Sequence, residues 1–344
     1  MEVVSRLLRT CAVPASLLYQ GKLALATSSR RPAGLSSSCG LQQRAGIIRK
    51  TAVRGYLSSI SHLWQRCDAS FSAGYLNTCA VQANGQLVCF GHNGAGQCEV
   101  PEKLGPVVAV DAGCRHTCAI QADGQLVCFG DNKHGRCDVP EDLGPVLAVA
   151  AGCRHTCAIQ ADGQLVCFGD NEDGQCAVPE NLGPVLAVAA GAHHTCAIQT
   201  DGQLVCVGGN TCGQCDVPKD MGPLLGVAAG GSHTCAIQGD GQLVCFGAEF
   251  SDYGQCDVPG DVGPVLHVVA GITHTCAIQA DGQLVCFGAE QTDWGQCDVP
   301  QGLGPVLAVA AGGLHTCAVQ VDGGMVCFGK NNYGQCRCQT MQAT

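Results

Sequence analysis

The stretch that decides the fold is HTCAIQADGQLVCFG, residues 116–130. Close copies begin at residues 155, 194, 233, 274 and 315, and a more divergent copy, NTCAVQANGQLVCFG, begins at residue 77. Successive copies are 39 residues apart in four intervals and 41 residues apart in the last two. A fixed period of this size indicates a solenoid or a propeller, in which each unit packs against its neighbours.

Each unit consists of short apolar segments separated by glycine, which is typical of strands and turns rather than of long helices. In the unit at 146–179, VLAVAAG is a predicted first strand, and HTCAIQ and GQLVCFG are predicted to form a hairpin around Asp162-Gly163. GQCAVP is a predicted fourth strand that ends at Pro179. Because blades converge on an axis, the small side chains of VLAVAAG favour the innermost position. The sequence therefore predicts an all-β fold, a seven-bladed β-propeller of four-stranded antiparallel blades.

The repeat also resembles that of a known family. Its pattern is Gly-x-x-His-Thr, then Asp-Gly, then Phe-Gly ahead of Gly-Gln, and it resembles the repeat of the regulator of chromosome condensation family over about residues 67–338. The resemblance implies a seven-bladed propeller used mostly for protein binding. Members of that family include an exchange factor for a nuclear GTPase, a plant UV-B photoreceptor, ubiquitin-ligase modules and a bacterial β-lactamase inhibitor, so the fold does not select a function.

Charge divides the chain into a basic N-terminal segment and an acidic repeat region. Residues 1–66 hold ten of the 18 lysines and arginines and one acid, whereas residues 67–344 hold 8 basic and 27 acidic residues. The segment at 1–66 is rich in Ser and Arg, as transit peptides are, with a disordered tail and a secretory signal as alternatives. We predict a propeller at 67–338 and a C-terminal tail at 339–344. A mitochondrial or plastid localisation is favoured over cytoplasm or nucleus, and secretion is favoured least.

The acidic repeat region limits the partners. A negative surface repels phosphates, so we expect no nucleic acid on the propeller and favour a basic protein partner. No run of 18 apolar residues occurs, so we expect no membrane span. We expect a monomer.

Each unit contains two cysteines ten residues apart. If Gln121 faces Gln125 across the hairpin, Cys118 lies opposite Cys128 at a non-hydrogen-bonded site, where a disulfide can form. The alternative is a pair of buried reduced thiols, which a mitochondrial, plastid or cytosolic location favours. The possible disulfides are Cys79–Cys89, Cys118–Cys128, Cys157–Cys167, Cys196–Cys206, Cys235–Cys245, Cys276–Cys286 and Cys317–Cys327.

A third cysteine follows Gly-Gln in nearly every unit and is interpreted as a packing residue. Zinc needs four converging ligands, often as Cys-x-x-Cys pairs, and only Cys212-Gly-Gln-Cys215 has that spacing. We therefore predict no metal site and no cofactor. Cys67 and Cys338 flank the repeats and are interpreted as unrelated surface thiols, with a bridge across the closed ring as the alternative. The third cysteines are Cys98, Cys137, Cys176, Cys215, Cys256, Cys297 and Cys336.

One histidine per unit precedes threonine, and Asn77 takes its place in the first unit. Because blade geometry repeats and catalytic sites rarely do, we predict that each histidine bonds backbone atoms within its own blade. No unique nucleophile and base stand outside the repeats, which predicts a protein that is not an enzyme. The histidines are His116, His155, His194, His233, His274 and His315.

Binding residues are expected where the units differ. The turns before Gly-Gln are two residues longer in units five and six, and aromatic candidates for partner binding gather there and next door: Phe250, Tyr253, Trp294 and Tyr333. The alternative is that these rings only cover blade edges. The loops after Val-Pro carry a candidate acidic rim, or a plain solvated surface, at Glu102, Glu141, Asp142, Glu180, Asp220 and Asp261.

These features predict a non-enzymatic protein-interaction scaffold that binds a partner through its propeller loops. The first alternative is a guanine-nucleotide exchange factor or other regulator of a small GTPase. No unit has an insertion longer than two residues, which leaves no place for the inserted wedge of the family's exchange factor. The second alternative is a thiol-rich redox or metal-binding protein.

Overall fold

The computed structural model describes residues 70–337. The predictions for the segment at 1–66, for Cys67 and Cys338, and for the tail at 339–344 lie outside the described residues. Within the described range all regular secondary structure is β-strand. No helix there is long and apolar enough to cross a membrane.

The strands form seven three-stranded antiparallel sheets, one per repeat unit, which we call blades one to seven. The first strands are β1 (Phe71–Ala73), β4 (Val107–Ala112), β7 (Val146–Ala151), β10 (Val185–Ala190), β13 (Leu224–Ala229), β16 (Val265–Ala270) and β19 (Val306–Ala311). The second strands are β2 (Asn77–Val81), β5 (His116–Gln121), β8 (His155–Gln160), β11 (His194–Gln199), β14 (His233–Gln238), β17 (His274–Gln279) and β20 (His315–Gln320). The third strands are β3 (Leu87–Gly91), β6 (Leu126–Gly130), β9 (Leu165–Gly169), β12 (Leu204–Gly208), β15 (Leu243–Gly247), β18 (Leu284–Gly288) and β21 (Met325–Gly329).

The Asp-Gly hairpin between the second and third strands forms as the sequence predicts. In blade two the Gln121 N–H donates to the Gln125 carbonyl oxygen at 2.9 Å. Gly124 has a φ of 87°, a left-handed conformation that favours glycine. The Gln125 N–H donates to Asp123 Oδ1 at 3.0 Å, which closes the turn. This turn chemistry fixes the register of the two cysteine-bearing strands.

The first strand of each blade lies innermost, as its small side chains predict. First strands of consecutive blades contact one another, and β19 contacts β1 in the same way. Alanine and glycine at the ends of these strands surround a central opening. A Cβ atom on Gly113 would collide with the carbonyl oxygen of Gly152 in the next blade. Glycine at this position therefore allows neighbouring blades to approach closely.

Backbone hydrogen bonds join consecutive blades around the opening. The N–H of Cys114 donates to the Gly152 carbonyl oxygen at 3.3 Å, and the N–H of Gly313 in blade seven donates to Gly74 in blade one at 3.2 Å. Blade seven is therefore joined to blade one as the internal neighbours are joined. Within the described residues no strand crosses from one terminus to complete the other blade.

Each blade has three strands where the sequence predicts four. The segment predicted as a fourth strand is a turn at Gly-Gln-Cys followed by residues without regular structure. In blade one the N–H groups of Ala95 and Cys98 donate to Gln97 Oε1 and Asn93 Oδ1, both at 2.9 Å. Local side chains thus bond backbone groups that a fourth strand would offer to a neighbour.

Candidate functional site

Six fully buried histidines join blades two to seven each to the following blade, and blade one carries Asn77 at this position. His116 Nε2 lies 2.8 Å from Thr156 Oγ1 of the following blade. The other five make the same contact at 2.8–3.0 Å, and His315 reaches Thr78 of blade one. The prediction that each histidine bonds backbone within its own blade is therefore wrong, because the partner is a threonine side chain one blade further on.

The threonine requires that Nε2 of the histidine carries a proton. Thr156 Oγ1 lies 2.8 Å from the carbonyl oxygen of Arg136, and because a carbonyl only accepts, the hydroxyl donates to it. The proton between His116 and Thr156 must then come from Nε2. His116 Nδ1 has no hydrogen-bond partner among the described residues. Burial lowers the pKa of His116 to about 3, so the imidazole is neutral and serves as a structural donor.

We expect Thr156→Val to lower the free energy of unfolding by about 2–5 kcal/mol. Valine keeps the shape but leaves the buried Nε2–H of His116 and the carbonyl oxygen of Arg136 without a partner. Denaturant unfolding measures the change. The matched control is Thr200→Val, since Thr200 is exposed at a hairpin tip where blade seven already carries Val321. Equal stability of the two variants would contradict the assigned role of Thr156.

The two hairpin cysteines of each blade lie directly opposite each other, as the sequence predicts. Their Cα atoms are 4.0–4.1 Å apart, close to the spacing of non-hydrogen-bonded pairs. The sulfur atoms of all seven pairs are in bonding contact. The geometry thus suits a disulfide across every hairpin, and the oxidation state in the native protein stays a prediction.

An eighth cysteine pair, which the sequence did not predict, joins two blades. Cys114 and Cys153 occupy the same place in blades two and three, with Cα atoms 4.5 Å apart and sulfur atoms in bonding contact. Arg136 reinforces the junction, because its Nη1 donates to the Cys153 carbonyl oxygen at 2.7 Å. Its Nη2 lies 3.7 Å from Asp131 Oδ2. The available signal was the motif Gly-Cys-Arg-His, which occurs in two successive units.

The third cysteines are half-buried and direct their thiols at turn carbonyls. Cys98 Sγ lies 3.5 Å from the His92 carbonyl oxygen, and burial raises the pKa of Cys98 to about 11. A thiol with such a pKa is a poor nucleophile at neutral pH. In the Cys-x-x-Cys segment, Cys212 Sγ faces Ser251 Oγ whereas Cys215 Sγ faces the Gly209 carbonyl oxygen. Among residues 70–337 no three His, Cys, Asp or Glu side chains are grouped to hold a metal ion.

The loops lie on two opposite faces of the propeller. The turns before Gly-Gln and the Gly-x-x-His turns share one face, where the Asp131 N–H donates to the Arg115 carbonyl oxygen at 2.9 Å. We call this the turn face. The hairpin tips and the loops after Val-Pro share the other face, where the Ala122 N–H donates to the Pro106 carbonyl oxygen at 2.8 Å. We call this the hairpin face.

The aromatic candidates lie on the turn face in blades five to seven. Phe250 is 82% exposed, and Trp294 and Tyr333 are each 51% exposed, whereas Tyr253 is half-buried. Lys330 Nζ lies 4.2 Å from the centroid of the Trp294 ring, a cation–π contact. The ring of His92 meets that of Tyr333 edge-on at 4.8 Å. Each of these two rings therefore contacts the next blade while part of it stays open to solvent.

The predicted acidic rim lies on the hairpin face, opposite the aromatic residues. Glu102, Glu141, Asp142, Glu180, Asp220 and Asp261 are all exposed there. The hairpin-tip aspartates, which were not predicted as part of the rim, are exposed on the same face: Asp123, Asp162, Asp201, Asp240, Asp281 and Asp322. Two basic residues, Lys103 and Lys219, lie in these loops. The two sets of candidate residues thus form two separate surfaces.

Seven antiparallel sheets around a central opening, joined by repeated His–Thr and backbone bonds, define a closed β-propeller. A family model for the regulator of chromosome condensation (RCC1) repeat matches residues 107–136, 146–175, 185–214, 226–255 and 306–335. The chain belongs to the family of proteins built from these repeats. No curated protein sequence matches the chain.

Solved structures confirm the propeller fold. The CRINKLY WD40 ectodomain of the Arabidopsis thaliana receptor kinase ACR4 is 25% identical, with a TM-score of 0.62 over 76% of this chain and 96% of that chain. The entire ectodomain of the Physcomitrella patens receptor kinase CR4 is 25% identical, with a TM-score of 0.64 over 76% and 73%. Prp20p from Saccharomyces cerevisiae is 18% identical, with a TM-score of 0.59 over 72% and 81%. At that identity the likeness to Prp20p shows the fold alone.

Proposed function

We propose that this propeller is a non-enzymatic interaction scaffold that binds a protein partner through the turn face of blades five to seven. The observation that carries the proposal is the exposure of Phe250, Trp294 and Tyr333 on three consecutive blades. Aromatic side chains are the commonest anchors of protein interfaces, and a rigid scaffold holds them at low entropic cost.

The loops that carry these rings are held by their own hydrogen bonds. The Trp294 N–H donates to Gln296 Oε1 at 2.6 Å, and Gln296 Nε2 donates to the Thr292 carbonyl oxygen at 2.8 Å. In blade seven the Tyr333 N–H donates to Gln335 Oε1 at 3.0 Å. A partner that binds here meets side chains whose backbone is already ordered, which reduces the entropy lost on association.

We expect a Phe250→Ser, Trp294→Ser, Tyr333→Ser variant to recover its partner at least about tenfold less well than the parent chain. The measurement is affinity purification from the native cell with quantitative mass spectrometry. The matched control is Val321→Ala, which removes an exposed apolar side chain from the hairpin face and introduces the residue of blade two, Ala122. Equal thermal melting curves verify folding. Unchanged recovery with the serine variant would remove the turn face as the binding surface.

Regulation of a small GTPase is the second candidate function. It is favoured by the structural likeness to Prp20p, which is described with its binding to Gsp1p and histones. A captured GTPase whose nucleotide release accelerates in the presence of the propeller would support this candidate over a passive scaffold. Within the described residues the longest turns, in blades five and six, exceed the others by two residues. Any exchange activity would therefore act through short loops.

We infer in addition that the hairpin cysteine pairs are oxidised in the native protein. The strand register places the two cysteines opposite each other in every blade, and the two plant proteins of similar structure are described as ectodomains. Disulfides persist outside the cell and in other oxidising compartments. Localisation in an organelle stays a prediction, and the oxidation state of these pairs bears on it directly.

A further inference from the structure

The hairpin face carries one aliphatic side chain in each of six consecutive blades, five of them exposed and one half-buried. In blades two to seven the second residue of the first strand lies at a β-bulge. In blade three the pairing register shifts between Val146 and Ala148. Bulges re-aim side chains, and Leu147 is 66% exposed whereas its neighbour Val146 is 3% exposed. We call these residues the aliphatic ring: Val108, Leu147, Leu186, Leu225, Leu266 and Leu307. Leu225 is half-buried and the others are exposed.

The aliphatic ring lies where the innermost strands begin, on the hairpin face. First strands are innermost, and each starts beside the hairpin tip of the preceding blade, as the Val146 N–H donates to the Gly124 carbonyl oxygen at 2.9 Å. The hairpin tips and the loops after Val-Pro, which lie further out, carry twelve exposed carboxylates and two lysines. An apolar centre within a polar rim is the usual anatomy of a protein interface.

The charge of this face decides what can occupy it. A second copy of the same face would bring carboxylates against carboxylates, and anionic lipid or nucleic acid would be repelled. An uncharged apolar segment would leave the carboxylates without a complementary charge. A segment with both positive and aliphatic side chains satisfies the rim and the centre together.

We propose that the hairpin face binds a basic peptide segment of a partner protein. The aliphatic side chains of the peptide pack on the aliphatic ring, and the lysines and arginines of the peptide lie opposite the carboxylates of the rim. This second surface extends the proposed scaffold function and does not depend on the turn face. Because the rim is exposed, its electrostatic contribution falls as salt rises, whereas the aliphatic contribution does not.

The test uses the full chain and fluorescent peptides in anisotropy titrations. The probe has the repeat Lys-Leu-Gly, with Lys-Ser-Gly and Glu-Leu-Gly peptides of equal length as controls. We expect the Lys-Leu-Gly peptide to bind at least about tenfold more tightly than either control, since only it offers charge and aliphatic groups together. Equal affinity for Lys-Leu-Gly and Lys-Ser-Gly would overturn the proposal.

Two variants separate the two contributions. We expect Leu147→Ser, Leu186→Ser, Leu307→Ser to weaken Lys-Leu-Gly binding about tenfold or more. We expect Glu141→Gln, Asp142→Asn, Glu180→Gln to reduce the salt dependence of binding. These side chains are exposed, so both variants should melt like the parent chain. Unchanged binding by the leucine variant would overturn the proposal.

Further measurements test other occupants of the hairpin face and separate this proposal from the one for the turn face. Phe250→Ser, Trp294→Ser should bind the Lys-Leu-Gly peptide as the parent does, so a failed turn-face proposal leaves this one testable. A peptide copying residues 1–26 that binds more tightly than Lys-Leu-Gly would assign the face to the chain's own basic segment and overturn the partner assignment. Dimers that the leucine variant abolishes would assign the face to a second copy and also overturn it.

Discussion

Acidification below about pH 6 should destabilise the propeller steeply, because six buried histidines must take up protons when it unfolds. Burial lowers the pKa to about 3 for His116, His194, His233 and His274, and to about 4 for His155 and His315. In the unfolded chain a histidine titrates near pH 6.5. Between about pH 5.5 and pH 4.5 each of these side chains is therefore charged in the unfolded state and neutral in the folded state.

Stability falls with the pH because folding lowers the pKa of these histidines. A histidine whose pKa is lowered in the folded state contributes its full stability above the pKa that it has in the unfolded state. That contribution is lost as the pH falls from the unfolded-state pKa toward the folded-state pKa. Each histidine lowers the free energy of unfolding by about 1.4 kcal/mol per pH unit in this window, and six together lower it by about 8 kcal/mol per pH unit. Urea unfolding at a series of pH values measures the slope.

The chain offers a matched control for this slope. Blade one carries Asn77 in place of histidine, fully buried, so asparagine is already accommodated at this position. We expect His233→Asn to reduce the slope by about 1.4 kcal/mol per pH unit, whatever it does to stability at neutral pH. The slope counts protons, so a merely weakened fold would not change it. An identical slope in the parent and the variant would mean that His233 is not held neutral.

Reduction of the hairpin cysteine pairs should produce the second large effect. Each pair closes a loop with a sequence separation of 10, which in the chain-entropy model stabilises the fold by about 3 kcal/mol. With one such loop in each of seven blades, adding a strong reductant should lower the melting temperature markedly. In protein purified without reductant and then denatured, the hairpin cysteines should not react with an alkylating reagent, as mass mapping would show.

Variants within one blade isolate this effect. We expect Cys118→Ala, Cys128→Ala to melt at a lower temperature than the parent without reductant, and to lose the difference when reductant is added. The control is Cys137→Ala in the same blade, whose thiol is free and half-buried. If all fourteen hairpin cysteines alkylate in the unreduced, denatured protein, they are packing thiols. That result would fit the organelle localisation predicted from residues 1–66 better than an oxidising compartment.

The sequence predicted the features that depend on one unit alone. Asp-Gly between two apolar segments fixed the hairpin and the pairing of Cys118 with Cys128. The small residues of VLAVAAG placed the first strand innermost. The predicted fourth strand does not form. The side chains of Asn93 and Gln97 accept hydrogen bonds from backbone N–H groups that would otherwise pair with a neighbouring strand. A propensity argument does not count those side-chain acceptors.

What sequence alone determined is therefore the blade: its strands, its hairpin register and the number of copies that follow one another. The tertiary structure decided what lies between blades, namely the bond from His116 to Thr156, the pairing of Cys114 with Cys153, and the separation of the turn face from the hairpin face. The physical reason is distance along the chain. Strand and turn preferences act over a few residues, whereas partners in neighbouring blades are about 40 residues apart and meet only when the ring closes.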